Sequence, residues 1–385
     1  MLVLGTPELA HRVLHSAPGT YLAGAANRRI LPVLPRGTLL TLDGDEHLAR
    51  RRELTPLFHG ESRDAVTPII RDLTSRELDA WPVSRAFSVL PRMRQLTLRI
   101  AALMILGIED DNAVHRLESC LADALRPYPM LAGYETLARM GPASPQVAAE
   151  RRRKAFARCL AAAAPAESGQ GALGPDEVFE LLLAGHETTA TALSWAIYEL
   201  ARSPEVAGAV AREPAAEDRP WLHALIHETL RLHPPLIDIV RRPAETLQLA
   251  GFDVSAGTLL MIPPPLIHRC DGCAEPARFR PDPFLRRRPD PSTWIPFGGG
   301  ARRCLGAALA LLELREVLPA IVKRFRLRPG RRDPERAPPG PYRLTNEPDH
   351  RSRPVIGYVP DLARISRRAA WISATEGRSS GPRLR

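Results

Sequence analysis

The longest uninterrupted helical pattern in this chain runs over residues 175–203 and constrains the fold more than any other feature. It opens with Gly-Pro-Asp-Glu, where proline suits the first helical turn and the two acids face the positive end of the helix dipole. It closes with Arg-Ser-Pro, which places a cation in the last turn. A helix of this length spans about 43 Å. Because it is also strongly apolar, we expect it to cross the centre of the domain.

Helical periodicity also dominates the rest of the chain. Apolar residues recur at helical spacing in seven further segments, at 45–58, 62–80, 87–106, 112–125, 145–163, 219–232 and 304–325. Alternating apolar residues and glycine turns indicate short strands between Pro243 and Pro263. We therefore predict a mainly α fold, with a large helical body around a long central helix and a small β region. Residues 1–360 should form one domain, and residues 361–385 a basic, loosely ordered tail.

Charge and hydropathy argue against two broad classes of protein. The formal net charge is +10, but the basic residues are scattered and only 5% of residues are aromatic, which argues against nucleic-acid binding. No segment has the length and hydropathy of a membrane span, and the N-terminus lacks the pattern of a secretory signal. We therefore expect a cytoplasmic protein without a nucleic-acid partner.

The cysteines give a first expectation about chemistry. In the cytoplasm all five should be free thiols, and these are Cys120, Cys159, Cys270, Cys273 and Cys304. Cys270 and Cys273 form a single CxxC pair, which without a second pair is weak evidence for a zinc or redox site.

The middle of the long helix, AGHETT, carries polar residues where a buried helix should be apolar. Ala184, Glu187 and Thr188 share one face by i, i+3 and i+4 spacing. Thr188 can donate back to the carbonyl of Ala184 and open a groove beside a hydroxyl and a carboxylate, which suits proton delivery. The alternative is structural: Glu187 pairs with a nearby arginine, and the threonines satisfy each other.

A second unusual segment, FGGGARRCLG at 297–306, holds one cysteine between arginines and a glycine. The glycines allow several backbone N–H groups to approach one sulfur, while Arg302, Arg303 and the following helix add positive potential. We therefore expect Cys304 to favour the thiolate. A shielded thiolate is either a nucleophile, which needs a histidine and an orienting partner, or a metal ligand, which can act alone if the metal arrives inside a macrocycle.

Two further segments are weak signals by themselves. In DGDEHLARRR, His47 and Arg51 lie four apart on one helix face, which suits a carboxylate or phosphate group, although a solvated cationic face is the more common outcome. In HETLRLHPP, Glu228 and Arg231 lie three apart, and an exposed pair of this kind contributes only about 0.2–0.5 kcal/mol.

In this order and at this spacing, the four segments resemble the haem-thiolate monooxygenases of the cytochrome P-450 superfamily, over about residues 2–350 of the chain. The glycine-rich segment is similar to the family pattern Phe-x-x-Gly-x-Arg-x-Cys-x-Gly, which is met by Phe297, Gly300, Arg302, Cys304 and Gly306. AGHETT resembles the oxygen-activation motif of the family, ETLR its invariant Glu-x-x-Arg pair, and DGDEHLARRR its haem-contacting helix.

The resemblance implies a cofactor, haem b, and a role for each matched residue. Cys304 would be the axial ligand of the haem iron. Glu187 and Thr188 would relay protons during oxygen activation, and Glu228 with Arg231 would brace the loop that carries the cysteine. The remaining residues would contact the haem: His47, Arg51, Arg241 and Arg302 at its propionates, Phe297 beside the sulfur, and Ala184, Gly300 and Gly306 through close backbone approach.

The chain departs from the family pattern in three places. Pro283 in FRPDPF replaces the arginine that usually joins Glu228 and Arg231, so the brace is either looser or completed by another residue. Cys270 stands where the family has an aspartate after His-Arg. A helix and two strands that usually precede the first segment, MLVLGTPEL, are expected to be missing.

By the same resemblance we expect a bacterial monooxygenase that inserts one oxygen atom of O₂ into an apolar organic molecule. Its electrons would come from a separate ferredoxin and ferredoxin reductase. A positive face around Arg50, Arg52 and Arg303 would suit an acidic ferredoxin. Two alternatives stay open: a peroxide-driven peroxygenase, which would not need the relay of Glu187 and Thr188, and a degenerate haem-binding relative without catalysis.

The resemblance also places the substrate pocket near the segment LIDIV at 236–240. Leu236, Ile237 and Val240 indicate an apolar ligand, while Asp238 would orient a polar group or face water. Fatty acids, terpenoids, steroids and polyketides all fit such a pocket.

Overall fold

The computed structural model describes residues 1–31, 33–58, 61–83, 87–125, 145–163, 173–214, 218–269 and 275–328, together with short strands at 343–344 and 370–372. Within these residues the helices are α1 Pro7–Leu14, α2 Ala23–Ile30, α3 Gly44–Leu54, α4 Glu61–Asp79, α5 Val89–Leu106, α6 Asp111–Ala124, α7 Pro145–Ala163, α8 Pro175–Arg202, α9 Pro204–Arg212, α10 Pro220–Leu232, α11 Pro264–Ile267, α12 Asp282–Arg286 and α13 Ala307–Arg324. The strands are β1 Leu2–Leu4, β2 Tyr21–Leu22, β3 Phe87–Ser88, β4 Ile239–Pro243, β5 Leu247–Leu249, β6 Phe252–Val254, β7 Leu260–Ile262, β8 Arg343–Leu344 and β9 Ala370–Ile372. The predicted mainly α fold is confirmed.

The long helix α8 is the axis of the fold. Pro175 occupies its first turn, the Glu177 carboxylate accepts the N–H of Gly174 at 3.1 Å, and Arg202 lies in its last turn. The helix over 175–203 is confirmed to within one residue. The other predicted helices are found within three residues at either end, when α3 is counted with the 3₁₀ turn Thr55–Phe58 that continues it.

Of the four apolar clusters in the described residues, two form the core of the helical body, and α8 belongs to both. The larger cluster joins α8 to α4, α5, α9, α10 and α13, with Leu193, Leu225 and Val317 inaccessible to solvent. The smaller cluster joins α5, α6, α7 and the first half of α8, where the rings of Phe156 and Phe179 meet edge to face at 5.2 Å. Because each fully buried side chain of this kind contributes about 1.5–3 kcal/mol, the apolar faces of these helices hold α8 at the centre. Within the described ranges, no helix has both the length and the hydropathy needed to cross a membrane.

The small β region lies beside this helical body. Its largest sheet has five strands in the order β2, β4, β7, β1, β9, with Val240 of β4 opposite Met261 of β7 and Leu2 of β1 opposite Leu260. Residues 370–372 of the predicted loose tail form the edge strand beside β1. The other residues of that tail lie outside the described ranges, as do Cys270 and Cys273.

The expectation of five free thiols was wrong for one pair, because Cys120 and Cys159 form a disulfide. Cys120 lies on α6 and Cys159 on α7, 39 residues apart, with their Cα atoms at 6.6 Å. The apolar neighbours Leu117 and Phe156 pack in the smaller core cluster and bring the two helices together. The compartment argument considered composition alone, and this pairing depends on helix packing that composition does not contain.

Candidate functional site

The loop that carries Cys304 folds back on itself. The N–H of Cys304 donates to the carbonyl of Phe297 at 2.9 Å, and the N–H of Gly298 donates to Ile295. Gly298 and Gly300 adopt positive φ values of 68° and 62°, which an L side chain rarely tolerates. The loop therefore needs glycine to return the chain toward the start of α13.

The structure gives Gly300 and Gly306 different roles. A Cβ on Gly300 would lie 2.0 Å from the carbonyl oxygen of Leu14, so this glycine lets the end of α1 press against the loop. The close backbone approach at Gly300 is therefore to α1, while its predicted contact with haem stays a prediction. A Cβ on Gly306 would meet nothing within 4 Å, so this glycine borders open space next to Cys304.

Cys304 differs from the thiolate expected from its flanking charges. Burial raises the pKa of the Cys304 thiol, and this effect outweighs the N–H of Gly306 and the charges of Arg303 and Arg51, which lower it. The thiol is therefore not a poised nucleophile. The residue is nevertheless exposed to solvent, so a ligand can reach it. A metal cation bound there would remove the proton, since a coordinating thiol is deprotonated outright.

His47 is brought close to the arginines predicted to share its ligand. Its side chain is only 3% exposed. Burial, followed by the charges of Arg302, Arg51 and Arg241, lowers the pKa of His47 to about 4. The sequence suggested a cation here, but at neutral pH His47 is an uncharged N–H donor because three cations and little solvent surround it.

Within the part of the chain that the structure describes, Asp43 and Glu180 are the acids that act on the pKa values of the arginines in this group. Burial and the neighbouring Arg302 lower the pKa of Arg241 to about 10, with Asp43 opposing the shift. Burial likewise lowers the pKa of Arg302 to about 10, and Asp43 and Glu180 again oppose it. Buried like charges are stable only when an anion joins them. The group is therefore suited to a ligand that carries carboxylates.

Arg302 is held by protein groups on one side. Its guanidinium donates to the carbonyls of Leu39 and Leu42 and, at 2.9 Å, to a carboxylate oxygen of Asp43. Asp43 in turn accepts the N–H groups of Gly24 at 2.7 Å and Ala25 at 2.8 Å, which caps the start of α2. Arg302 thus fastens the cysteine loop to the segment ahead of α3, and its role at a propionate stays a prediction.

The donor set fits a haem. The described residues contain no group of three histidine, cysteine or acidic side chains that could hold a metal ion, so Cys304 has no companion ligands there. A single thiol suits an iron that brings its other ligands in a macrocycle. The cationic group suits the propionates of that macrocycle, and open space borders Gly306.

The AGHETT segment opens to solvent in the middle of a buried helix. Ala184 and Gly185 are exposed, and a Cβ on Gly185 would meet nothing within 4 Å. The hydroxyl of Thr188 donates to the carbonyl of Ala184 at 2.7 Å, as the sequence predicted. The helix continues through this bond without a break.

Glu187 has partners that keep both interpretations of this residue open. Arg94 of α5 donates to its carboxylate at 2.9 Å, and His186 lies at 3.5 Å. Burial by itself raises the pKa of Glu187, but the hydrogen bond from His186 and the charge of Arg94 outweigh it, so the pKa is lowered. The pairing with an arginine matches the structural alternative, and the half-buried carboxylate beside Thr188 also suits a relay.

Glu228 and Arg231 form a buried pair rather than an exposed one. Arg231 donates from Nε at 2.6 Å and from Nη2 at 2.8 Å to the two carboxylate oxygens of Glu228. Backbone groups complete the arrangement: Glu228 accepts the N–H of Arg280 at 2.6 Å, and Arg231 donates to the carbonyls of Pro276, Arg278 and His268. With Pro283 in place of an arginine, backbone carbonyls supply the third partner.

The brace reaches the cysteine loop through two further contacts. His268 Nδ1 bonds the carbonyl of Arg231 at 2.9 Å, and its Nε2 accepts the N–H of Ile295 at 2.9 Å. The indole N–H of Trp294 donates to the carbonyl of His227 at 3.0 Å. Trp294 also meets Phe297 edge to face at 6.1 Å, so the brace is continuous with the loop.

The predicted pocket residues are distributed unevenly. Leu236 is 51% exposed, Ile237 is half-buried, and Val240 is buried within β4. Asp238 is half-buried, and burial raises its pKa. Ile239 of this segment lies near the cysteine loop, because a Cβ on Gly298 would meet its Cδ1 at 3.7 Å. The role of the segment as a pocket wall stays a prediction.

The arginines of the predicted docking face also differ from one another. Arg50 pairs with Glu53 and Glu177, whereas Arg52 and Arg303 are exposed. The exposed positive charge of this face therefore comes mainly from the latter two.

Sequence reasoning missed two acids that the structure connects to the site. Glu180 of α8 binds Thr38 and Leu40 in the turn at 38–43, and Asp43, the last residue of that turn, binds Arg302. Glu180 left a signal, because it is a charged residue inside the apolar run FELLLA, four residues before Ala184. Asp43 left none beyond its place before a helix.

Comparisons with known proteins identify the family of this chain. The family model described as Cytochrome P450 matches residues 146–351, more than half of the chain. Cytochrome P450 135B1 of Mycobacterium tuberculosis is 31% identical over 369 residues, which cover 85% of this chain and 76% of the relative. Cytochrome P450 137 of the same organism is 32% identical, covering 83% and 73%. The names of both relatives give the family without an established activity.

Solved structures show the same fold. A 6-coordinated cytochrome P450 from Thermus thermophilus superposes with a TM-score of 0.67 at 27% identity, covering 85% of each chain. CYP175A1, from another strain of the same organism, superposes with a TM-score of 0.68 at 26% identity, covering 89% of this chain and 88% of the other. The sequence match and the shared fold lead to one conclusion: this chain belongs to the cytochrome P450 family.

Proposed function

We propose that this haem-thiolate protein is a bacterial monooxygenase that inserts one oxygen atom of O₂ into an apolar organic substrate. The family is one of haem-dependent monooxygenases, and haem is its cofactor. The observation that carries the choice of O₂ is the pairing of Thr188 with the Ala184 carbonyl, beside the carboxylate of Glu187, where α8 opens to solvent. A hydroxyl and a carboxylate placed at such an opening are suited to proton transfer.

Each residue near the cofactor has a proposed task. Cys304 supplies the thiolate ligand, while Arg51 and Arg241 neutralise the propionates and His47 donates an N–H to them. Phe297 packs beside the sulfur. Haem bound in this way supplies the redox chemistry that activates oxygen.

The relay is proposed to hold a proton at the Thr188 hydroxyl, which would leave the Ala184 carbonyl in order to donate, and Glu187 would return a proton to that hydroxyl. Glu187 is ionised at neutral pH because its pKa is lowered, so it accepts a proton from solvent only briefly. Arg94 holds the carboxylate in place on the α5 side. Release from Arg94 would let the carboxylate turn between solvent and Thr188.

Electrons are proposed to come from a separate ferredoxin and its reductase. The exposed Arg52 and Arg303 support an acidic partner at the cysteine loop. The apolar class of substrate is supported by Ile237 and Val240. The cytoplasmic location expected from the sequence stays a prediction that cell fractionation tests.

The central experiment is the carbon-monoxide difference spectrum of the reduced protein. We expect the red-shifted Soret band of a haem thiolate, and we expect Cys304→Ala to lose it. Persistence of the band in that variant would reject Cys304 as the ligand.

Turnover with different oxidants separates the proposed function from its alternatives. We expect Thr188→Ala to lose activity with O₂ and a surrogate ferredoxin system by a factor of about 10²–10⁴, the usual contribution of general acid–base catalysis, and to keep activity with peroxide. If the wild type and the variant are equally active with peroxide, and neither is active with O₂ and the ferredoxin system, the result would support the peroxygenase. No turnover with either oxidant, in protein that shows the haem-thiolate band, would support a haem-binding protein without catalysis.

A further inference from the structure

Glu180 is a buried acid that neither propionate binding nor the proposed relay explains. It lies on α8 four residues before Ala184, and the residue is 2% exposed. Its carboxylate accepts the hydroxyl of Thr38 and the N–H of Leu40, the latter at 3.0 Å. Both donors belong to one turn, and these hydrogen bonds connect the central helix to that turn.

The turn at 38–43, which we call the anchored turn, has internal bonds that make it a unit. The N–H groups of Thr41 and Leu42 both donate to the carbonyl of Thr38 at 2.9 Å. The hydroxyl of Thr41 donates to the carbonyl of Pro35 at 2.8 Å. Because these bonds fix the shape of the turn, displacement of one of its peptide groups displaces the whole turn.

Arg302 holds the anchored turn from the cysteine loop. Its Nη1 donates to the carbonyl of Leu39 at 3.1 Å. That carbonyl and the N–H of Leu40 belong to the same peptide group, and Glu180 accepts the N–H. One peptide group thus joins a carboxylate on α8 to a guanidinium two residues before Cys304. Bonds in such a chain polarise and strengthen one another.

We propose that Glu180 is a positioning residue for the cysteine loop: through the Leu39–Leu40 peptide group it fixes Arg302, and protonation of Glu180 loosens this link. The proposal deepens the proposed function, because it rests on the loop that holds haem. Glu180 itself touches neither haem nor substrate in this scheme.

Burial is the main cause that places the protonation of Glu180 near neutral pH. Burial raises the pKa of Glu180 to about 7, against the bonds from Thr38 and Leu40. Glu177 on the same helix raises the pKa further, and Arg302 on the cysteine loop lowers it. Above this pH the carboxylate accepts both donors of the turn. Below it the group is a neutral acid, a weaker acceptor that leaves the turn less firmly held.

Global stability has the opposite dependence on pH. Because the pKa of Glu180 is raised in the folded chain, folding is favoured most below the ordinary value of 4.5 and loses this contribution as pH rises through about 7. If Glu180 stabilised the fold without holding the turn, its titration would change the global free energy of unfolding. The protection of the turn would then not depend on pH. The two effects can therefore be measured separately.

The test uses hydrogen exchange in the haem-loaded full chain at pH 6 and pH 8, with rates corrected for intrinsic exchange. In the wild type we expect peptides over 38–43 to be about tenfold better protected at pH 8, the factor for a charged acceptor against a neutral one. Glu180→Gln resembles the protonated acid and should show no such difference. Glu77→Gln removes another buried carboxyl with a raised pKa, on α4, and should keep the difference.

A second variant covers the case in which Glu180→Gln does not fold. Thr38→Val removes a hydroxyl that lowers the pKa of Glu180, so the midpoint of the protection change should move to higher pH. An unchanged midpoint overturns the proposal, and so does a pH dependence that survives in Glu180→Gln or disappears in Glu77→Gln. The haem-thiolate band is recorded first for every sample, so failure of haem binding is distinguished from failure of the link.

Discussion

At the scale of single residues, the most informative side chains are those whose surroundings contradict their ordinary chemistry. His47 is a histidine kept neutral by burial and three arginines. Cys304 is a thiol kept protonated by burial despite two nearby cations. In both cases the missing partner is an ion of opposite kind, an anion for the first and a metal cation for the second. On the proposed assignment, haem would supply both from one molecule, which would explain why the two sites lie together.

Replacing His47 should alter the response of stability to acid. Its pKa of about 4 lies below the ordinary 6.5, so its contribution is present above pH 6.5 and is lost as pH falls toward 4. In the haem-free protein, where no propionate faces His47, we expect the free energy of unfolding to fall between pH 7 and pH 5 by about 2 kcal/mol less in His47→Gln than in the wild type, measured by urea unfolding at each pH. His115→Gln, at an exposed histidine, should lose as much as the wild type. Parallel losses in all three proteins would contradict this account.

At the scale of elements, the brace on α10 shows how context changes the value of a pair. The small free energy expected for an exposed pair does not apply to Glu228 and Arg231. Both residues are buried, and Arg231 also donates to three carbonyls. Lysine has a single ammonium group and cannot reproduce the several hydrogen bonds that the planar guanidinium of Arg231 donates. We therefore expect Arg231→Lys to lower the free energy of unfolding by about 3–5 kcal/mol and to reduce the haem-thiolate band per mole of protein.

The matched control for the brace is Arg76→Lys, at an exposed pair with Asp72 of the same helix at 2.8 Å. This change should stay within about 0.5 kcal/mol of the wild type, measured in the same urea titration. If the two variants unfold alike, the backbone contacts of Arg231 do not carry the brace.

The disulfide between α6 and α7 should stabilise the smaller core cluster. It closes a segment of about 40 residues, for which the expected contribution is about 2–4 kcal/mol. We expect Cys120→Ser with Cys159→Ser to lower the midpoint of thermal unfolding, and added reductant to lower that of the wild type but not of the double variant. A wild type that does not respond to reductant would show that the bond is absent in solution.

Helices were predictable and the contacts between them were not. The period of apolar residues predicted the ends of α4, α7 and α8 to within one residue. It could do so because burial of one helix face produces a repeating pattern among neighbouring residues of the sequence. The shorter α1 and α2 carry too few turns for that signal. The pairing of Cys120 with Cys159, and that of Glu180 with the anchored turn, join residues 39 or more apart and depend on packing.

The candidate site was predictable where a motif fixes both residue type and spacing. Cys304, Thr188 and the Glu228 pair follow from such motifs, and the Thr188 bond to Ala184 is found as expected. The charge states of His47 and Cys304 did not follow, because they depend on burial and on cations brought from other elements. Spacing reports which residues meet along one helix, and it contains nothing about the dielectric environment that surrounds them.

At the scale of the whole molecule, three separate parts of the chain support the cysteine loop. The end of α1 presses on Gly300, the brace reaches Ile295 through His268, and the anchored turn holds Arg302. Each support comes from a different region of sequence. The position of Cys304 is therefore a property of the assembled fold, which is why damage at any one support should appear as loss of haem.

The net charge of +10 also acts through the whole molecule, but docking of a ferredoxin should depend on where the charge lies. Arg303→Glu reverses an exposed charge next to Cys304 and should slow reduction by an acidic ferredoxin about tenfold or more at low ionic strength. The difference should fade as salt screens it. Arg76→Glu on α4 changes the net charge equally and should leave the rate near that of the wild type. Stopped-flow reduction under carbon monoxide measures all three, and equal slowing by both variants would show that only net charge matters.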